Sequence, residues 1–122
     1  MSKKTILIVE DNVSIREEIV ELLEEEGYLA KGIENGQEAM KYLKTTNTLP
    51  TLILLDLMMP IMNGWQFRIE QEQDLRLSKI PVIVVTADGH AEQKAAKMNA
   101  TGWLKKPIDI DTLLKTIQTF SA

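Results

Sequence analysis

Polar residues of the kinds that bind ions follow the short apolar stretches of this chain. They are Glu10, Asp11, Asp56, Thr86 and Lys106. In an open parallel sheet the functional crevice lies at the carboxyl ends of the strands. If the apolar stretches are such strands, then three carboxylates, one hydroxyl and one ammonium converge on one rim of the sheet.

Three carboxylates on one rim repel one another, so either a positive charge offsets them or one carboxyl keeps its proton. A hard divalent cation supplies that charge, and Mg²⁺ suits the rim because it takes oxygen ligands and keeps several waters. Zinc is disfavoured, because the chain has no cysteine and a single histidine, His90. The residue types therefore predict a Mg²⁺ site, with Mn²⁺ as the alternative ion.

The elements that must position these residues show in the apolar pattern. Continuous runs rich in β-branched residues predict strands buried on both faces at residues 6–9, 52–55 and 82–85. Each of these runs stops directly before one of the polar residues. Weaker patterns predict two further strands at residues 29–33 and 102–104.

Helical patterns separate the predicted strands. An apolar stripe begins at Ile15, and Gly27 predicts where that helix stops. Ser14 and Glu17 have the spacing of a capping box, which predicts Ser14 as the N-cap. Further helices are predicted after Asn35, after Asp109, and over residues 63–73 and 91–98.

This alternation predicts a single α/β domain over residues 1–122, with a parallel sheet covered by helices on both faces. The composition is that of an ordinary globular protein, at 44% hydrophobic and 26% charged residues. A net charge of −4 argues against nucleic-acid binding by this domain. No apolar run approaches the ~18–20 residues that span a bilayer, so we expect a cytoplasmic protein without a membrane contact.

Several short motifs lie at the ends of the predicted strands or in the loops that follow them. They are Glu10-Asp11, the run from Asp56 to Pro60, Gly64 in the loop after it, Thr86-Ala87 and Lys106-Pro107. In this order the chain resembles, over essentially its whole length, the receiver domain of two-component response regulators, including the chemotaxis regulators. The resemblance implies a flavodoxin-like, doubly wound (βα)5 fold with strand order 2-1-3-4-5.

The resemblance also implies a role for each residue of the rim. Asp56 would be the phosphoacceptor, forming an aspartyl phosphate with a phosphoryl group taken from a partner. Asp11 and Asp56 would bind Mg²⁺ directly, Glu10 partly through water, and Met58 through its backbone carbonyl. The hydroxyl and the lysine would then bind phosphoryl oxygens. Lys106 is assigned this role because the active lysine of the family directly precedes the proline.

Other residues would transmit or time the signal. The resemblance places Thr86, Trp103 and Lys105 in the switch and output face, which comprises the fourth helix, the fifth strand and the fifth helix. Met58 and Asp88 would tune the lifetime of the phosphorylated state. Two residues depart from the family pattern, since Glu10 replaces the commoner Asp and Trp103 replaces Tyr or Phe. We expect Trp103 to stay largely outward in the activated form, because indole is large and prefers a partner for its N–H.

The implied protein is a signalling phosphoacceptor and not an enzyme. Its partners would be a sensor histidine kinase or phosphotransfer protein, and then a downstream protein or a C-terminal effector domain of a longer regulator. We expect a monomer or weak dimer. The alternative is a receiver-fold binding module that acts without phosphorylation, and the residues departing from the pattern favour it.

Enzymes on similar sheets fit the sequence poorly. A haloacid-dehalogenase-type phosphatase needs Asp-x-Asp after its first strand, where this chain has Glu10-Asp11-Asn12. A flavodoxin-like FMN protein needs a hydroxyl-rich loop at the same place, and the loop here is too acidic to receive a phosphate.

Overall fold

The computed structural model describes residues 4–59, 61–87 and 89–121. Strands and helices alternate along the chain. The strands are β1 (Thr5–Val9), β2 (Leu29–Ile33), β3 (Leu52–Asp56), β4 (Val82–Thr86) and β5 (Gly102–Lys105). The helices are α1 (Val13–Glu25), α2 (Gly36–Thr45), α3 (Gly64–Glu72), α4 (Ala91–Lys97) and α5 (Ile110–Phe120). Among the described residues, no helix is both long enough and apolar enough to cross a membrane.

All neighbouring strands are parallel, and their order in the sheet is β2-β1-β3-β4-β5. The predicted fold class and strand order are therefore confirmed. The chain reverses its direction of winding after β2, so β1 and β3 are neighbours at the centre of the sheet. The functional crevice of a doubly wound sheet opens at this switch point, beside the carboxyl ends of the two strands.

The sheet buries both of its faces, because successive strand residues point to opposite sides. In β1, Leu7 and Val9 join a core with α2, α3 and α4, whereas Ile6 and Ile8 join a second core with α1 and α5. The same alternation continues in β3 and β4. Burial on both faces is why these strands are apolar at every position, and it fixes their register firmly.

Three strands run one residue further than the apolar pattern predicts. Each of these strands was predicted to end one residue earlier. The structure instead includes Asp56, Thr86 and Lys105 as the last residues of β3, β4 and β5. The ladders continue because Asp56 pairs with Val85 and Thr86 pairs with Lys105. The apolar sequence stops before these residues, but the backbone pairing continues through them, and Asp56 and Thr86 are still buried. The sheet itself therefore positions the backbone of Asp56 and Thr86.

Side-chain caps set the starts of four helices. The prediction of Ser14 as N-cap of α1 is wrong: Asn12 occupies that position, and its Oδ1 accepts from the N–H of Ile15 at 3.0 Å. This earlier start allows the helix to begin directly after the acidic pair. Asn35, Asn63 and Asp109 cap α2, α3 and α5 in the same way. Gly27, with φ of 94°, follows the C-terminal end of α1 as predicted.

A buried polar network joins α3 to the end of α4. Arg68 is 8% exposed; its Nε donates to Met98 O at 3.0 Å and its Nη2 to Asn99 O at 2.7 Å. Its Nη1 donates to Gln71 Oε1, while Gln71 Nε2 donates to the carbonyls of Leu77 and Ile80. The network satisfies carbonyl oxygens that would otherwise be buried without a donor.

We predict that Arg68→Met lowers the free energy of unfolding by roughly 2–4 kcal/mol, because it leaves several buried acceptors without donors. Urea denaturation monitored by circular dichroism measures the loss. Lys79→Met is the control, since Lys79 is exposed and its loss should change stability by less than about 0.5 kcal/mol. Equal stability of the two variants would contradict the network's role.

Candidate functional site

Three carboxylates meet at the carboxyl ends of β1 and β3. Glu10 and Asp11 follow β1, and Asp56 ends β3; one oxygen from each of the three lies within 4.8 Å of the others. Glu10 and Asp56 are buried, at 3% and 4% exposure, whereas Asp11 is exposed. This group, called the acidic cluster below, has the hard oxygen donors that Mg²⁺ prefers. The residues present therefore fit a hard divalent cation.

Lys106 provides a positive charge within the acidic cluster. Its Nζ lies 2.6 Å from Glu10 Oε1 and 3.6 Å from Asp56 Oδ2. The lysine is fixed to the sheet because its N–H donates to Thr86 O at 2.9 Å. The following peptide bond, Lys106-Pro107, is cis. Its neighbour Lys105 is exposed at the end of β5, so the two adjacent lysines face different surroundings.

Backbone N–H groups also bind two of the carboxylates. Met58 N–H donates to Asp56 Oδ1 at 3.2 Å, and Asn12 N–H donates to Glu10 Oε2 at 3.2 Å. Both oxygens of Glu10 are thus engaged, one by an ammonium and the other by a backbone amide. Asp11 has the exposed carboxylate of the three and faces solvent.

Mutual repulsion and burial change the acidity of the central carboxyl. Burial, a hydrogen bond with Glu10 and the charge of Glu10 raise the pKa of Asp56 to about 7, against the opposing effects of Lys106 and the Met58 N–H. Burial acts to lower the pKa of Lys106, but its contacts with Glu10 and Asp56 outweigh burial and raise that pKa above its ordinary value. Lys106 is therefore a cation at neutral pH, and Asp56 retains a proton over part of the neutral range when no metal is bound.

The remaining predicted residues surround the acidic cluster or lie outside it. Thr86 is buried at the end of β4, at 1% exposure, while Trp103 on β5 is 43% exposed. Met58 lies two residues after Asp56, in the loop that follows β3, and is 72% exposed. Asp88, together with Pro60 of the motif, lies outside the described residues. The outward position of Trp103 in an activated form stays a prediction.

Arg16 was not predicted beside the cluster, and Gly64, predicted in a loop, is instead the first residue of α3. Arg16 Nη1 donates to the backbone carbonyl of Glu10 at 2.8 Å. A signal for this contact exists, because helical side chains lean toward the N-terminus and a long one in the first turn reaches the preceding loop. Gly64 allows α3 to start against the strand end, since a Cβ there would lie 2.9 Å from Asp56 O and 2.8 Å from Leu57 Cδ2.

Comparisons with known proteins match nearly the whole chain. The family model described as response regulator receiver domain matches residues 6–118. Protein PilH of Pseudomonas aeruginosa is 34% identical over 119 residues, which cover 96% of this chain and 97% of PilH. Chemotaxis protein CheY of Halobacterium salinarum is 33% identical over 117 residues, covering 93% of each chain.

A solved structure shares the fold. The chemotaxis response regulator CheY4 of Vibrio cholerae superposes with a TM-score of 0.88 at 30% identity, covering 98% of this chain and 99% of that chain. Other curated relatives are longer: the chain spans 53%, 52% and 55% of the length of three of them.

We predict that the metal-free protein loses stability as pH rises from about 5 to 7.5. The folded state binds the Asp56 proton more tightly than the unfolded chain, so folding is favoured below the raised pKa and less so above it. The loss should be on the order of 2 kcal/mol, measured by urea denaturation in EDTA. Asp56→Asn should abolish most of this slope, and Asp111→Asn, an exposed control, should retain it. A wild-type stability that rises over this range would contradict the raised pKa.

Proposed function

The chain belongs to the family of response regulator receiver domains, and we propose that Asp56 accepts a phosphoryl group from a histidine kinase or phosphotransfer protein. Receiver domains are signalling phosphoacceptors of two-component systems and interact with such donors. The observation that carries the proposal is the acidic cluster with Lys106 Nζ at 2.6 Å from Glu10 and 3.6 Å from Asp56. A carboxylate beside a fixed cation and further oxygen ligands is equipped to receive a dianionic phosphoryl group.

In the proposed step, an Asp56 carboxylate oxygen attacks the phosphorus atom of a donor phosphohistidine. The new O–P bond forms as the N–P bond breaks, and the donor's imidazole leaves with the bonding electron pair. Lys106 pairs with one phosphoryl oxygen, and the Thr86 hydroxyl donates to another. The later return to the free carboxylate needs a water molecule to attack the same phosphorus, which releases inorganic phosphate.

The acidic cluster would hold the metal that this chemistry needs. Asp11 and Asp56 would bind Mg²⁺ directly, with the Met58 backbone carbonyl as a further ligand, and Mn²⁺ could replace it. Glu10 would act through water, which agrees with the engagement of both its oxygens by Lys106 and the Asn12 N–H. When bound, the metal neutralises charge on the phosphoryl group and fixes its geometry.

The proposed output face comprises α4, β5 and α5. Lys97, Trp103 and Lys105 are exposed there, and a groove of about 400 Å³ runs beside Trp103 and Lys105. Phosphorylation would shift the population of two conformations of this face. Its target would be a downstream protein, or an effector domain if the chain is part of a longer regulator. We place the protein in the cytoplasm, as a monomer or weak dimer that binds no nucleic acid through this domain.

The second candidate is a binding module that signals without phosphorylation. The exposed Trp103 favours it, because this side chain is available to a partner without any switch. The two functions differ in one observable, which is the metal-dependent modification of Asp56.

We predict that incubation with acetyl phosphate and Mg²⁺ adds one phosphoryl group to the intact mass of the protein. The gain should vanish in EDTA, because the phosphoryl charge is then not neutralised, and in Asp56→Asn, which removes the nucleophile. Asp111→Asn serves as the matched control on an exposed aspartate and should still gain the mass. Mass spectrometry of the intact chain gives the result.

A phosphohistidine-bearing donor is the second arm of this test. Absence of any gain with both donors, in a protein that remains folded, would reject phosphorylation and favour the binding module. A gain that persists in Asp56→Asn would assign the acceptor to another residue.

We also predict that Met58→Asn shortens the lifetime of the phosphorylated protein several-fold. Met58 is 72% exposed beside the acceptor, and its bulk would keep the attacking water away. The lifetime is read from the decay of the phosphorylated mass after removal of the donor. Leu75→Asn makes a similar change at an exposed site away from the acidic cluster and should leave the lifetime unaltered. An unaltered lifetime in Met58→Asn would rule out this shielding.

A further inference from the structure

We propose that Arg16 is a positioning residue for the acidic cluster, a role that rests on the proposed function. It touches neither Asp56 nor Lys106 in any described contact. Its guanidinium instead bonds the backbone of the short segment that carries Glu10 and Asp11, called the acidic loop below (residues 10–12). Through that backbone it fixes where the two carboxylates point.

Arg16 binds the acidic loop at two carbonyl oxygens. Its side-chain Nη1 donates to Glu10 O at 2.8 Å, and its backbone N–H donates to Asn12 O at 2.9 Å. Glu10 O is the carbonyl directly before Asp11, whereas Asn12 O belongs to the residue after Asp11 and accepts the first backbone hydrogen bond of α1. One residue therefore restrains the backbone on both sides of the exposed metal-ligand candidate.

The restraint matters most for Asp11. Glu10 is also held by its N–H, which donates to Ile33 O at 3.0 Å, and by its side-chain contact with Lys106. Asp11 is exposed, so its carboxylate is directed chiefly by the backbone that precedes and follows it. A charged donor on the Glu10 carbonyl makes a stronger restraint than a neutral one.

Gly32 leaves room on the sheet for the side chain of Arg16. Gly32 lies on β2, and a Cβ there would come within 2.9 Å of Arg16 Cγ and 3.1 Å of Arg16 Cδ. The aliphatic stem thus crosses the strand over a residue without a side chain. Gly32 pairs with Ile8 of β1, two residues before Glu10, so the stem is guided toward the strand end where the acidic loop begins.

A residue that orients metal ligands has a measurable signature apart from stability. Groups that hold the ligands of a metal site typically change affinity by about 10–100-fold when they are removed. A purely structural residue would change the free energy of unfolding and leave the metal affinity of the folded protein unaltered.

The test compares Arg16→Met, which keeps an apolar stem and removes the guanidinium, with Arg16→Lys, whose ammonium ends one atom short of Nη1. Lys41→Met is the matched control, because Lys41 and Arg16 line one surface groove and the described ion pair of Lys41 is with Glu38. Two properties are measured on each variant: the Mg²⁺ dissociation constant by calorimetry, and hydrogen exchange of the acidic-loop amides in EDTA.

We expect Arg16→Met to weaken Mg²⁺ binding by at least about tenfold and to speed exchange of the Asn12 amide, with Arg16→Lys intermediate and Lys41→Met unchanged. Mg²⁺ affinity and amide exchange equal to those of the wild type in a folded Arg16→Met protein would overturn the proposal. If Arg16→Met fails to fold, the same comparison with Arg16→Lys decides.

The proposed function can fail while the positioning role of Arg16 still holds. A wild-type protein that binds no Mg²⁺ would reject the metal-dependent function, and the exchange rate of the acidic loop would still show whether Arg16 holds it. Faster exchange in both Arg16 variants would then support the restraint alone.

Discussion

The crowding of three carboxylates around one ammonium is the constraint on which the rest of this structure depends. One oxygen from each lies within 4.8 Å of the others, and two of the three groups are buried. Burial, and then the hydrogen bond and charge of Glu10, raise the pKa of Asp56 to about 7, because Lys106 offsets only part of the effect. The charge of the cluster can therefore be offset by a proton on Asp56 or, in the function proposed above, by a bound cation.

The parallel sheet keeps these groups together despite their repulsion. β1 and β3 are central, apolar on both faces and tied in register, so their carboxyl ends cannot separate without disrupting both cores. Asp56 belongs to the last ladder pair of its strand, and Lys106 is tied to Thr86 O through its N–H. Burial energy distributed over the sheet thus maintains an electrostatically unfavourable arrangement at its rim. Separation of stability from chemistry in this way is typical of sites at strand ends.

The sequence was informative wherever a signal is local. Apolar runs predicted β1, β3 and β4, and weaker patterns predicted β2 and β5. The polar residues directly after the three runs identified the rim, because they mark where each apolar run ends. The N-cap of α1 was misplaced because Asn12 and Ser14 are both good caps, and only the three-dimensional start of the helix distinguishes them. The contacts of Arg68 were not predicted, since it donates to carbonyls distant in the sequence, whose positions leave no mark there. The contact of Arg16 with the preceding loop was not predicted either, although the lean of first-turn side chains toward the helix N-terminus was an available signal. The choice of Lys106 over Lys105 came from the family resemblance, and the structure places Lys106 beside the acidic cluster.

Proton release on Mg²⁺ binding tests the charge balance of the acidic cluster most directly. Calorimetric titrations at pH 6 in buffers of different ionisation enthalpy give the number of protons released per metal ion bound. We expect release of a substantial fraction of one proton by the wild type, because Asp56 must ionise to bind the cation, and no release by Asp56→Asn. Binding of Mg²⁺ without proton release, or equal release by the two proteins, would contradict this charge balance.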